Sequence, residues 1–289
     1  MIDYIRKKIK KIIGIDSLNS KIENNIFLNG KNLIENNLIN FPNLIDNHEV
    51  KVFSQSGEDG IIQFILSKIK NKNFTFVEFG CENYLESNTR YLLYNNNWKG
   101  LIIDGSKKNV EEIKKGNYYW KHNLTVLKEF ITKDNINNLL EKYKFNENLG
   151  LLSIDIDGND YWILKELKHI LPDIIICEYN SLLGEKSALT LKYDEKFVRS
   201  NNSFNKINYG ASIRAICKLL SDEYILVYGN KFGNNLFFVN QKFKNLIQEK
   251  SIDECYSKIS FNELVNISEK RMSHDEISDL IDISKFEEV

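Results

Sequence analysis

From residue 74 onward, short continuous apolar runs alternate with stretches in which apolar residues recur every third or fourth position. The runs at 74–79, 101–103, 124–131, 151–154 and 174–177 are the length of strands, and several are rich in β-branched residues. The stretches at 86–96, 107–115, 134–143, 161–170 and 211–220 carry helical periodicity. Gly116 stops one helix, Asp134 is an N-cap, and Pro172 follows the end of another. Runs at 224–228 and 236–239 form a closing hairpin around 229–235. Strands that are apolar throughout need cover on both faces, so the alternation predicts an α/β fold with a doubly wound, mainly parallel sheet.

The flanks differ. Ile2, Ile5, Ile9 and Ile12 repeat at helical spacing, with Arg6, Lys7, Lys8, Lys10 and Lys11 on the other face. This predicts a short basic helix that packs or joins a homodimer, with weak contact between residues 1–15 and an anionic membrane surface as the other reading. Residues 16–50 are Asn-rich and read as loosely ordered helices and turns, so 1–50 form a helical extension. The polar loop 54–60, SQSGEDG, leads into a helix whose stripe is Ile61, Ile62, Ile65, Leu66 and Ile69. Residues 193–209 are polar and aromatic without a period, and 181–209 are taken as a lid. Residues 241–289 read as a charged helical tail that packs through Leu246, Ile247, Leu264, Ile267, Ile277 and Ile281.

Composition changes this picture little. A formal net charge of −1 over 289 residues argues against nucleic acid as a partner. The four cysteines, Cys81, Cys177, Cys217 and Cys255, form no CxxC pair and have no histidine at zinc spacing. They read as reduced thiols, which with no signal peptide or spanning segment in view predicts a cytoplasmic protein.

Chemistry is expected at the carboxyl ends of the strands, where open α/β sheets bind ligands. Glu78, Asp104, Asp155 and Glu178 stand at four such ends. Gly80 follows the first strand, but the dinucleotide fingerprint of three glycines is missing, so a pyrophosphate cradle is not expected. Asp104 lies 24 positions after Gly80, near the spacing at which an acid holds ribose hydroxyls; capping the next helix is its plain structural alternative. A ribose clamp without a phosphate cradle suits a phosphate-free nucleoside such as S-adenosylmethionine. Residues 153–161, SIDIDGNDY, bring three acids together, and alternation would set Asp155 and Asp157 on one side. They could bind the cofactor's amino-acid part, bind a cation or act as a base; Asp160 could instead start the following helix. Whether a metal is needed stays open.

On the stretches FSQSGEDG at 53–60, FVEFG at 76–80, SNTRYLL at 87–93, WKGLIIDG at 98–105, SIDIDGNDYW at 153–162 and IICEYN at 175–180, the chain resembles the FkbM-type methyltransferases. YGAS at 209–212 and NNLFFVN at 234–240 also fit, so the resemblance spans roughly residues 50 to 240. It departs after Gly80, where Cys81-Glu82-Asn83-Tyr84 stands in place of a second glycine common among relatives. The resemblance implies a class I methyltransferase fold with a seven-stranded sheet, a Rossmann-like domain over 51–240, and S-adenosylmethionine as cofactor. It carries Glu78 and Gly80 to the methionine end, Asp104 to the ribose, Gln55, Glu58 and Asp59 to the neighbourhood of cofactor or acceptor, and Asp155 to the reacting face.

The expected function is O-methylation of a sugar, glycan precursor or related small molecule, in surface polysaccharide or natural-product modification. Asp157, Asp155 and His122 are the candidate bases, in that order. Asp160, Glu178, Tyr179, Asn180, Tyr193 and Tyr209 are expected to face the acceptor. The alternative is a non-catalytic Rossmann-like binding module of a glycan-assembly system.

Overall fold

A computed structural model describes residues 14–199, 207–259 and 272–289. The basic helix expected within 1–15 and the packing positions Leu264 and Ile267 lie outside the described residues. The chain runs α1 (Ile15–Asn40), α2 (Glu58–Ile69), β1 (Thr75–Phe79), α3 (Arg90–Asn95), β2 (Lys99–Asp104), α4 (Lys107–Lys115), α5 (Asn117–Lys121) and β3 (Leu124–Lys128). It continues with α6 (Ile136–Tyr143), β4 (Leu151–Ile154), α7 (Asp160–Glu166), β5 (Ile174–Glu178), β6 (Leu189–Leu191), α8 (Ile213–Leu220), β7 (Tyr224–Gly229) and β8 (Asn235–Asn240). Short helices α9 (Ile252–Cys255) and α10 (His274–Ser278) and strand β9 (Phe286–Glu288) close it.

Seven strands form one sheet in the order β3-β2-β1-β4-β5-β8-β7. β1 to β5 are parallel, and β8 enters antiparallel between β5 and β7. This is the doubly wound, mainly parallel α/β fold that the alternation predicts. Side chains alternate across it: Val77, Leu101, Leu152 and Ile175 pack in one apolar layer, Phe76, Ile102, Leu151 and Ile174 in the other. All eight are at most 2% exposed, so each stabilises the fold by roughly 1.5–3 kcal/mol through burial. Both faces of the sheet are therefore dry, and ligand chemistry is confined to its edges.

Three expectations need correction. The Asn-rich stretch at 16–50 holds one 26-residue helix, not loosely ordered turns. Phe27, Ile34 and Leu38 pack against Val50, Val52, Phe53 and Tyr91, and Glu23 pairs with the nearly buried Arg90. Tertiary contact thus overrides a composition poor for helices. The described residues of the tail are not mainly helical: β9 pairs antiparallel with β6, at Leu191↔Phe286 and Leu189↔Glu288. The segment expected to be a lid is correspondingly part strand. Its β6 is clamped between β9 and a bridge from Thr190 to Ala211. Among the described residues no helix is long and apolar enough to cross a membrane.

Successive crossovers wind to opposite sides from β1 and β4, which leaves a crevice between their carboxyl ends. The chain passes through this crossing at Gly80, whose φ of +72° is left-handed. A Cβ there would stand 1.5 Å from the Asp155 carbonyl oxygen. Gly80 is thus required by the approach of β1 to β4, whatever ligand binds beside it.

Gly80→Ala should destabilise the protein by roughly 3 kcal/mol, combining backbone strain with a collision against main chain. Gly210→Ala, at φ +60° with nothing within 4 Å of the added carbon, should cost about 1 kcal/mol. Urea unfolding of the two variants compares them directly, and equal losses would remove the collision.

Candidate active site

A cavity of about 470 Å³ opens at the crevice between β1 and β4. Strand ends supply Glu78, Gly80, Asp155, Glu178 and Asn235 to its wall; Gln55, Asn88, Asp157, Arg199, Tyr209 and Asn234 come from the loops. Cys81, Glu82, Glu86 and Phe232 are also there. Among the described lining residues, six carboxylates thus face one arginine.

Glu78 is buried and organises the wall. One carboxylate oxygen accepts from Ser87 Oγ at 2.6 Å and from Thr89 Oγ1, and the other from the Asn88 N–H at 2.9 Å. Burial pushes its carboxyl up, and these donors pull it back. Asn88 also donates to Ser153 Oγ of β4 at 3.1 Å. The SNTR stretch is thus a collar of donors for Glu78.

The turn after β4 is shaped by Asp160. Its two oxygens accept the N–H groups of Ile156 at 2.7 Å and Gly158 at 2.8 Å. Burial raises its carboxyl to about 6. The turn drives Asp157 to φ +65°, a conformation Asp tolerates better than most residues. Asp155 and Asp157 therefore meet through a turn rather than through strand alternation. Asp160 does not line the cavity; it holds the two acids that do.

Asp155, Asp157 and Glu178 lie with carboxylate oxygens within 4.8 Å of one another. Asp155 is held well above the usual carboxylate range by burial and then by the charges of Asp157 and Asp160. Glu178 is raised likewise, by burial and then by Asp155. Arg199 Nη1 bonds Asp157 Oδ1 at 2.6 Å and lies 3.5 Å from Glu178 Oε1. Its guanidinium stacks 3.5 Å from the centre of the Tyr209 ring.

The remaining expected residues sort by position. Gln55 reaches the cavity, whereas Glu58 and Asp59 are buried outside it. Glu58 Oε1 accepts from Asn230 at 2.9 Å and Asn235 at 3.0 Å, which fixes Asn235 in the cavity wall. Asp59 Oδ2 accepts the N–H groups of Val52, Phe53 and Ser54 at 2.8, 2.7 and 2.8 Å, and Ser54 Oγ at 2.9 Å. Asp104 stands at the end of β2, one strand from the cavity. Its Oδ1 accepts from the Ser106 N–H at 2.8 Å and Asn109 Nδ2 at 3.2 Å, so it braces the turn into the next helix, whose cap is Ser106 and not Asp104. Burial pushes its carboxyl up.

Tyr179 is wholly buried, its hydroxyl donating to Ser257 O and accepting from Ser257 N. Asn180 donates to the carbonyls of Ile207 and Tyr209 at 2.8 and 3.0 Å, positioning Tyr209. Tyr193 accepts the Lys133 N–H at 3.3 Å and lies outside the cavity lining. His122 requires correction: it precedes β3, at the amino ends of the strands, and its ring stacks 5.1 Å from Tyr94. The sheet separates it from the acids, so it is no base for this cavity. Burial lowers its pKa.

Sequence reading missed Arg199, Asn88 and Glu82 as lining residues. Asn88 had a local signal, the run of small donors SNT behind a buried strand-end acid. Arg199 had none, since its partners are 21 and 42 positions away.

No family model matches the chain, and no curated protein matches it. Solved structures do. The N-terminal domain of EvdMO1 with SAH bound is 9% identical, at a TM-score of 0.42, over 63% of this chain and 80% of that one. An S-adenosylmethionine-dependent methyltransferase from Clostridium acetobutylicum ATCC 824 is 12% identical, at 0.38, over 63% and 88%. A SAM-dependent methyltransferase from Aquifex aeolicus is 15% identical, at 0.33, over 62% and 87%. None of these likenesses assigns an activity to this chain.

Asp59→Ala should cost about 3 kcal/mol or more, because three backbone N–H groups lose their acceptor. Asp59→Asn, which keeps an acceptor, should cost less than half of that. Burial raises the Asp59 carboxyl from 3.8 to about 6, so the folded state holds its proton more tightly than the unfolded one. Its contribution is therefore most favourable below about pH 4 and is lost as pH rises to about 6. Urea unfolding across that window should show a shallower fall in Asp59→Asn than in the wild type; an unchanged slope would contradict the assignment.

Proposed function

We propose that this chain is an S-adenosylmethionine-dependent O-methyltransferase of the FkbM type, acting on a sugar, glycan precursor or similar small molecule in surface polysaccharide or natural-product modification. The observation that carries the reading is the charge of the cavity at the switch point, six carboxylates and one arginine among its described lining residues. Such a wall attracts a cationic ligand and repels a pyrophosphate. Its volume lies within the range of about 300–1,000 Å³ typical of small-molecule sites. A phosphate-free nucleoside bearing a sulfonium fits both conditions.

When bound, the cofactor supplies a sulfonium methyl group that is electrophilic without further activation. Gln55, Glu78 and Asn88 would hold its polar parts on the β1 side, with Asp104 at the next strand end. The work left to the protein is to align an acceptor hydroxyl and remove its proton. Asp157 suits the second task. It is exposed at the mouth, while Arg199 holds its carboxylate in one orientation. Glu178 and Tyr209 line the wall beside it and are placed to orient the acceptor.

Calorimetric titration should give binding with S-adenosylmethionine and none with NAD; no heat with the former would remove the reading. Asp157→Asn should slow turnover at least about tenfold. It should leave the cofactor's Kd within about twofold, because Asp157 stands at the mouth, away from the β1 side that would hold the cofactor. Loss of cofactor binding in that variant would contradict the role given to Asp157.

A further inference from the structure

We infer that Asp155, Asp157 and Glu178 form a binding site for one hard divalent cation, of the Mg²⁺ or Mn²⁺ type, at the mouth of the cavity. The three carboxylates each turn one oxygen to a common point, all within 4.8 Å of one another. Two oxygens each about 2.0–2.6 Å from one ion lie at most about 5 Å apart, so a small closure completes the set. The cluster holds oxygen donors and neither imidazole nor thiolate, which selects Mg²⁺, Mn²⁺ or Ca²⁺ over zinc or copper.

Polar atoms of this wall that lack a hydrogen-bond partner among the described residues point to a ligand as well. Glu178 is 6% exposed, lines the cavity, and its Oε2 has no hydrogen-bond partner. The Tyr209 hydroxyl, in a residue with no exposure, lines the same cavity and also has no partner. Buried polar atoms are almost always satisfied, by protein, water or ligand. With Asn235 Oδ1, which also lacks a partner among the described residues, three unsatisfied atoms stand in one wall and mark a place built for a ligand.

Charge counting agrees. Among the described residues one guanidinium stands against three carboxylates, leaving two negative charges uncompensated there when all are ionised. Arg199 contacts Asp157 and Glu178 through a single nitrogen and rests on the Tyr209 ring, so it competes with the ion for the same oxygens. A six-coordinate ion held by three protein oxygens keeps three open positions. Two neighbouring hydroxyls of a polyhydroxylated acceptor would suit them, an extension that rests on the methyl-transfer reading above.

The test is titration of the full chain with Mn²⁺ in the absence of cofactor, followed by the electron paramagnetic resonance of free Mn²⁺. One ion per chain is expected. Glu178→Gln should weaken binding at least about tenfold, and Arg199→Ala should tighten it about threefold by removing the competitor. Circular dichroism checks folding, and Asp155→Asn replaces Glu178→Gln should that variant not fold. No binding up to about 1 mM, or equal affinity in the carboxylate variants, overturns the site. Calorimetry with S-adenosylmethionine on the same samples separates the two readings. Cofactor heat without Mn²⁺ binding sinks the cation site alone; Mn²⁺ binding without cofactor heat sinks the methyl-transfer reading alone.

Discussion

A carboxylate taken out of water must be given hydrogen-bond donors, and the way this chain distributes donors among its buried acids organises the carboxyl edge of the sheet. Four acids are well supplied. Asp59 gathers three backbone N–H groups and a hydroxyl, Glu78 the 87–89 collar, Asp160 the turn after β4, and Glu58 two asparagine side chains. Each of these acids ties down a loop by hydrogen bonds, and at Val52 and Phe53 apolar packing adds to the hold. Two others, Asp155 and Glu178, stand against each other with Arg199 the one cation set against them among the described residues, and both are pushed well up. The frame acids each hold at least two donors, whereas the acids of the site face one another.

The energetic logic separates the two groups. A buried charge with three or four donors is tolerable, since charge-assisted hydrogen bonds offset much of the lost hydration. Two adjoining acids without enough donors relieve the strain by keeping a proton or by finding a cation. The fold sustains that arrangement because Gly80 lets β1 and β4 close to main-chain contact, and because the flanking strands are dry on both faces. The rigid sheet thus bears the cost of the unsatisfied pair.

Much of this was legible in the residues alone. Apolar runs with buried positions on both sides can only be central parallel strands, so the sheet and the acids at its ends followed from pattern. The role of each acid did not. Asp59, Asp155 and Asp160 look alike in sequence, all in Gly-bearing acidic turns, and differ in how many N–H groups the folded backbone turns toward them. Nor was the pairing of β6 with β9 visible, since about 95 residues separate the partners and each strand has only three. His122 misled for a related reason. A lone histidine beside a strand does not reveal which end of the sheet it occupies, and here it sits at the amino ends.

The loop that follows β6 decides how the acids present themselves. Trp162 Nε1 donates to the Leu191 carbonyl at 2.8 Å, and Asn159 Nδ2 to that of Asp194 at 2.8 Å. Both donors belong to the segment that Asp160 begins, so the turn carrying Asp155 and Asp157 and the strap carrying Arg199 are built on one support. Farther along, Asn180 at the end of β5 grips the carbonyls of Ile207 and Tyr209, beside Glu178 on the same strand end. Every group of the cluster, three acids, the guanidinium and the phenol, is therefore referred to β4 or β5 through a hydrogen bond of known direction. The acids are thus located at the ends of β4 and β5, and the guanidinium and phenol by loops that are tied to those ends.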